Sequence, residues 1–169
     1  MLLFLSSCSD FASIFKKNSA RPSKPSAHQQ GKKIAGTKNR NGSGKVVKGV
    51  FVWPVRGEVS SGFGERDGKP HDGIDIRAPQ GTPVKASATG DVVYAGKMSG
   101  YGNLLVLRHD SNYFTAYAHN EELLVKEGKK VSQGDVISKV GDTGHASGYH
   151  LHFEIRQGST PMNPLAFLP

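Results

Sequence analysis

Residues 104–119 read LLVLRHDSNYFTAYAH, two short apolar runs separated by Asp110-Ser111-Asn112. Runs of this length, rich in branched and aromatic residues and bounded by turn formers, are strand signals. Leu104–His109 and Tyr113–His119 therefore read as the two arms of a β-hairpin. Outward from it the pattern repeats, with strands expected at Glu58–Ser61, Ile74–Arg77, Pro83–Ala86, Gly90–Lys97, Val136–Val140 and Leu151–Arg156. Val125–Gly128 and Ser132-Gln133-Gly134-Asp135 read as further turns. No stretch carries a 3.6-residue apolar period, so long helices are not expected. The expected fold is all-β, a compact antiparallel sheet of sandwich or barrel type spanning residues 48–169.

The net charge of +8 is unevenly placed. Residues 1–50 carry ten Lys and Arg against Asp10 alone, whereas residues 51–169 carry twelve against thirteen acidic residues. A duplex nucleic-acid binder concentrates its positive charge on the folded module, and here that module is close to neutral. The basic segment also lacks aromatics for stacking on single strands, none falling between Phe15 and Phe51. Nucleic acid is excluded as the expected partner.

Residues 16–47 are mostly Lys, Ser, Gly, Asn, Pro and Gln, a composition that cannot offset its ordering entropy and is expected to be a disordered linker. The single cysteine, Cys8, excludes an intramolecular disulfide and a cysteine-based zinc site. Leu5-Ser6-Ser7-Cys8 resembles the lipobox of bacterial lipoproteins, which implies acylation of Cys8 and membrane attachment, with residues 1–15 as a shortened signal segment. The five residues Met1–Leu5 fall short of a usual signal peptide, which has a basic start and 7–15 apolar residues. No stretch reaches the roughly 20 apolar residues of a membrane span.

Five side chains stand out chemically: His71 and Asp75 in HDGID, His119 in YAH, and His150 and His152 in HLH. Residues two apart on a strand share a face, so His150 and His152 point together while Leu151 and Phe153 point to the core. Gly73, between His71 and Asp75, permits a turn or a close backbone approach. Three ligands with one position left for water is the catalytic zinc count. Two histidines and a carboxylate also suit non-haem iron, but that reading leaves two of the histidines without work.

HDGIDIRAPQGTPV, YAHN and GYHLHFEIR, in that order, resemble the lysostaphin/LytM-type zinc metalloendopeptidases that cut peptidoglycan cross-links. The resemblance spans Trp53 to Pro169. It implies a β-rich antiparallel sheet with an open cleft, Zn2+ held by His71, Asp75 and His152, and His119 and His150 as unliganded catalytic residues beside the attacking water. In that scheme His150 is the base and His119 the oxyanion donor, an order that is reversible on sequence grounds. Peptidoglycan is then the partner, and the bacterial cell envelope, at its periplasmic face, the location.

YAHNEELLVKEGKKV, the closing NPLAFLP and the possible lipobox also resemble the NlpD/EnvC-type activators of cell-wall amidases. That implies the alternative function of binding an amidase through the cleft. A biotinyl or lipoyl carrier is disfavoured, because Lys85 lies inside a strand-like run and carriers need no histidine cluster. His109, Tyr117 and His145 are expected to be structural, and Arg66 and Asp67 to sit in a surface turn.

Overall fold

The computed structural model describes residues 13–14 and 50–169 apart from residue 67. Cys8, the expected linker 16–47 and Asp67 lie outside the described residues. From Val50 onward the described residues form strands, turns and two 3₁₀ turns, with no α-helix.

The twelve strands are β1 (Glu58–Ser61), β2 (Gly64–Arg66), β3 (Lys69–His71), β4 (Ile74–Arg77), β5 (Pro83–Lys85), β6 (Gly90–Met98), β7 (Gly102–Arg108), β8 (Tyr113–Leu123), β9 (Lys130–Val131), β10 (Val136–Val140), β11 (His150–Gln157) and β12 (Thr160–Met162). The main sheet runs β1-β4-β11-β8-β7-β6-β9, β5 pairs with β10, β10 with β8, and β12 with β11. β2 and β3 form a separate hairpin. Every pairing among the described residues is antiparallel.

The hairpin of residues 104–119 forms as expected, with Asp110–Asn112 a 3₁₀ turn between β7 and β8. Its alternation serves two cores, because both faces of these central strands are covered. Leu105, Leu107 and Tyr117 join Ile74, Ile76, Leu151, Phe153, Val84 and Ile137 in the main core. Leu104, Val106, Phe114, Ala116 and Ala118 join Ile14 in a smaller cluster. Full burial of a Leu, Ile or Phe side chain contributes roughly 1.5–3 kcal/mol, so these rows anchor β4, β8 and β11.

Four short strands, β2, β3, β9 and β12, were not signalled by the sequence. The largest departure is at His119. The residue was expected to close its strand, yet β8 continues to Leu123. At His119 the backbone turns left-handed, with φ 61°. Up to Ala118 the strand pairs with β11, and from Asn120 it pairs with β10. His119 is the hinge between the two ladders. A non-glycine residue in this region is locally strained and needs surrounding support. Its backbone N–H supplies part of that support, donating to the Tyr101 carbonyl at 2.8 Å.

Candidate metal centre

β4 and β11 lie side by side with Asp75 opposite His152 and Arg77 opposite His150. Partners that are directly opposite share a face, so the carboxylate and both imidazoles emerge together. His71 arrives from β3 rather than from β4. The chain can turn back between them because Gly73 is pressed against β11. A Cβ there would lie 2.4 Å from the Phe153 carbonyl oxygen and 3.0 Å from Cε1 of His152. The even spacing of His71 and Asp75 therefore works through a glycine turn and not along one strand.

Three ligand-type atoms converge. Asp75 Oδ1 lies 3.1 Å from His71 Nε2 and 2.8 Å from His152 Nδ1, and the two ring nitrogens are 3.2 Å apart. His71 Nδ1 donates to the Gly62 carbonyl at 2.6 Å. His152 Nε2 donates to Glu154 Oε1 at 3.1 Å. With those outer protons committed, the inner nitrogens are lone pairs aimed at each other and at a carboxylate. Three acceptors this close require a cation among them. Zinc–nitrogen bonds of about 2.0–2.1 Å place tetrahedral ligands about 3.3–3.4 Å apart, slightly wider than the 2.8 to 3.2 Å between these atoms. His71, Asp75 and His152 also form the cluster among the described residues with metal-binding geometry. The donor set fits a zinc-type ion.

The electrostatics agree. Burial alone would raise the Asp75 pKa, but the His152 hydrogen bond and the charges of His152, His71 and His150 outweigh it and bring it to about 2. Burial alone would lower His152, but Asp75 and Glu154 reverse this and raise it to about 9.

His119 and His150 stand across the cleft, with ring centroids 4.8 Å apart. His119 Nδ1 donates to the Thr143 carbonyl at 2.7 Å and His150 Nδ1 to the Gly148 carbonyl at 2.8 Å. Each neutral ring therefore presents Nε2 as an acceptor. Burial, opposed by the Thr143 carbonyl, lowers the His119 pKa to about 4. His150 Nε2 lies 3.8 Å from Asp75 Oδ1. All five candidate residues line one cavity of about 390 Å³, joined by Tyr101, Glu154 and, at its rim, exposed His145. A larger cavity of about 580 Å³ near Phe51 and His109 gathers no comparable set of ligand-type side chains. Donor chemistry, not size, marks the site.

The sequence reading missed the support behind His152. Fully buried Glu154 also accepts from Arg156 Nε at 2.6 Å through Oε2 and from the Tyr101 hydroxyl at 3.1 Å through Oε1. Arg156 in turn donates to Asp72 Oδ2 at 2.6 Å and to the Ser159 carbonyl at 3.0 Å. A signal for this existed, because the alternation that pairs His150 with His152 continues through Glu154 and Arg156. Arg66, expected in a surface turn, is at the surface but ends strand β2 instead, with Nη1 3.0 Å from Ser61 Oγ and 3.4 Å from Asp75 Oδ2. Tyr117 packs in the core with its hydroxyl accepting from Ser87 N–H at 2.8 Å. His109 is buried away from the cleft, donating through Nδ1 to the Thr89 carbonyl at 2.9 Å.

Comparison with known proteins bears on the same segment. The uncharacterized lipoprotein YgeR of Escherichia coli is 45% identical over 125 residues, which cover 73% of this chain and 49% of that protein. The murein hydrolase activator NlpD of E. coli is 45% identical over 121 residues, covering 71% of this chain and 31% of that protein. The chain thus spans half or less of the length of these relatives. Among solved structures, a zinc-containing peptidase from Vibrio cholerae superposes with a TM-score of 0.66 at 36% identity, covering 72% of this chain and 41% of that one. The catalytic domain of lysostaphin from Staphylococcus simulans gives 0.62 at 32% identity, covering 64% of this chain and 89% of that one. The model of peptidase family M23 matches residues 69–164, the stretch that carries all five cleft residues, and the chain belongs to that family.

Proposed function

We propose that this protein is a zinc endopeptidase that hydrolyses peptide bonds in the stem peptides or cross-bridges of peptidoglycan. The observation that carries the reading is the convergence of His71 Nε2, Asp75 Oδ1 and His152 Nδ1 beside two imidazoles that are not part of that cluster. His71, Asp75 and His152 would hold the ion. Bound there, zinc would lower the pKa of a water to about 7 and polarise the scissile carbonyl.

His150 is assigned as the base. Its Nδ1–H is tied to Gly148, so its free Nε2 can take the proton of the attacking water. His119 is assigned to the oxyanion. Its Nδ1–H is likewise committed, to Thr143, so Nε2 would donate to the oxyanion only once it has taken a proton from solvent, separate from the one His150 removes from the water. Burial holds the ring neutral before that point. Glu154 and Arg156 hold His152 in the tautomer that turns Nδ1 inward.

Two relatives are named lipoproteins or murein hydrolase activators, which supports placement in the bacterial envelope and an attachment through acylated Cys8. It also supports a second reading, in which the cleft binds a cell-wall amidase and stimulates it. Metal analysis of the purified chain, with mass spectrometry of digested cross-linked muropeptides, separates the two. New peptide termini with zinc near one per chain support the endopeptidase. Bound zinc with no cleavage, but with stimulation of an added amidase, favours the activator.

A further inference from the structure

Beside the metal cluster, on the far side of His150, lies a second cavity of about 250 Å³. Ser60, Ser61, Arg66, Arg77, Ser147 and Tyr149 line it, together with edges of Asp75 and His150. It holds two guanidinium groups and a single carboxylate. That carboxylate is already engaged, Oδ1 with the two ligand histidines and Oδ2 with Arg66. Arg66 keeps 60% of its side chain exposed despite this contact. Arg77 is exposed, and no ion pair joins it to Glu58, which stands opposite on β1.

The register sets where these charges sit relative to the metal. On β4, Arg77 is two residues from Asp75 on the same face, and it stands directly opposite His150. Two residues of strand cover about 6.6 Å. We propose that Arg77, with Arg66 and the hydroxyls of Ser61 and Ser147, forms a carboxylate-binding subsite that selects substrates with a negative charge one or two residues from the scissile bond. An extended substrate chain advances about 3.3 Å per residue, so a carboxylate there reaches Arg77 while its neighbouring peptide bond lies at the metal. A guanidinium matches a carboxylate in two parallel hydrogen bonds, which an amide of the same size cannot reproduce. This inference rests on the hydrolytic reading above and adds its substrate class.

The carboxylate has two sources, a side chain near the scissile bond or a free C-terminus. The test uses the full chain loaded with zinc and three forms of one cross-linked muropeptide, unmodified, amidated on side-chain carboxylates, and amidated at C-termini. Steady-state kcat/KM and calorimetric Kd are measured for the wild type and for Arg77→Gln. Hydrogen bonds to charged groups predict a wild-type preference for the unmodified form of about 10- to 100-fold. In Arg77→Gln that ratio should collapse toward one, through KM rather than kcat. Loss on side-chain amidation assigns an internal carboxylate, and loss on C-terminal amidation a chain end. A wild type indifferent to both amidations, or a variant that keeps the wild-type ratio, overturns the subsite. If no form is cut, the hydrolytic reading fails, and the same ratios in Kd decide the subsite by themselves.

Discussion

The carboxylate of Glu154, shielded completely from solvent, takes the outer N–H of His152 at 3.1 Å and so turns the Nδ1 lone pair of that ring toward Asp75. A buried carboxylate is stable only when paired. Arg156 supplies the pairing at 2.6 Å, and its charge and that of His152 hold Glu154 below the usual carboxylate range although burial alone would raise it. The orientation of the His152 ring is thus maintained from behind.

Glu154→Gln should weaken zinc binding by about 10- to 100-fold, the usual cost of losing such a support. Titration against a competing chelator measures it. An unchanged zinc affinity would remove Glu154 from the centre.

The ligand and catalytic assignments separate by metal content. His152→Ala should lose zinc, because two donors remain of three. His119→Ala should keep its zinc and lose hydrolysis by about 10²- to 10⁴-fold. Equal loss of metal in both variants would show that the ligand set is drawn wrongly.

Gly73→Ala tests the turn that brings His71 to Asp75. A Cβ placed 2.4 Å from the Phe153 carbonyl must push β4 away from β11. Overpacking of this kind costs roughly 1–3 kcal/mol. Both the melting temperature and zinc affinity should fall. A variant with wild-type zinc affinity would mean that the turn is not needed to gather the ligands.

His109 predicts an acid transition remote from the cleft. Burial, opposed by the Thr89 carbonyl, lowers its pKa to about 4 from the ordinary 6.5. The unfolded chain then binds the proton more readily than the folded one. Stability from this group is fully present above pH 6.5 and is lost as pH falls through 4, on the order of 3 kcal/mol in total. Denaturant melts of the wild type from pH 7 to pH 4 should show the decline, and His109→Gln should make it shallower, leaving the part that buried His119 contributes. Identical pH slopes in the two proteins would refute it.

Much of this architecture could be read from local pattern. The hairpin of residues 104–119, the β4 and β10 strands and the absence of long helices follow from two-residue alternation and turn chemistry, which act between near neighbours. His150 and His152 share a face for the same reason. The same alternation carried Glu154 and Arg156 in plain view. Other features depend on residues far apart in the chain. Arg66 reaches Asp75 only because the separate β2–β3 hairpin brings residues nine apart in the chain within 3.4 Å. His119 takes a left-handed backbone only because β8 must leave β11 for β10, with Tyr101 and Thr143 there to hold it. No local propensity encodes such a switch. Alternation chose the residues that face the cleft, whereas strand register, a property of pairs remote in sequence, set which of them stand within bonding distance.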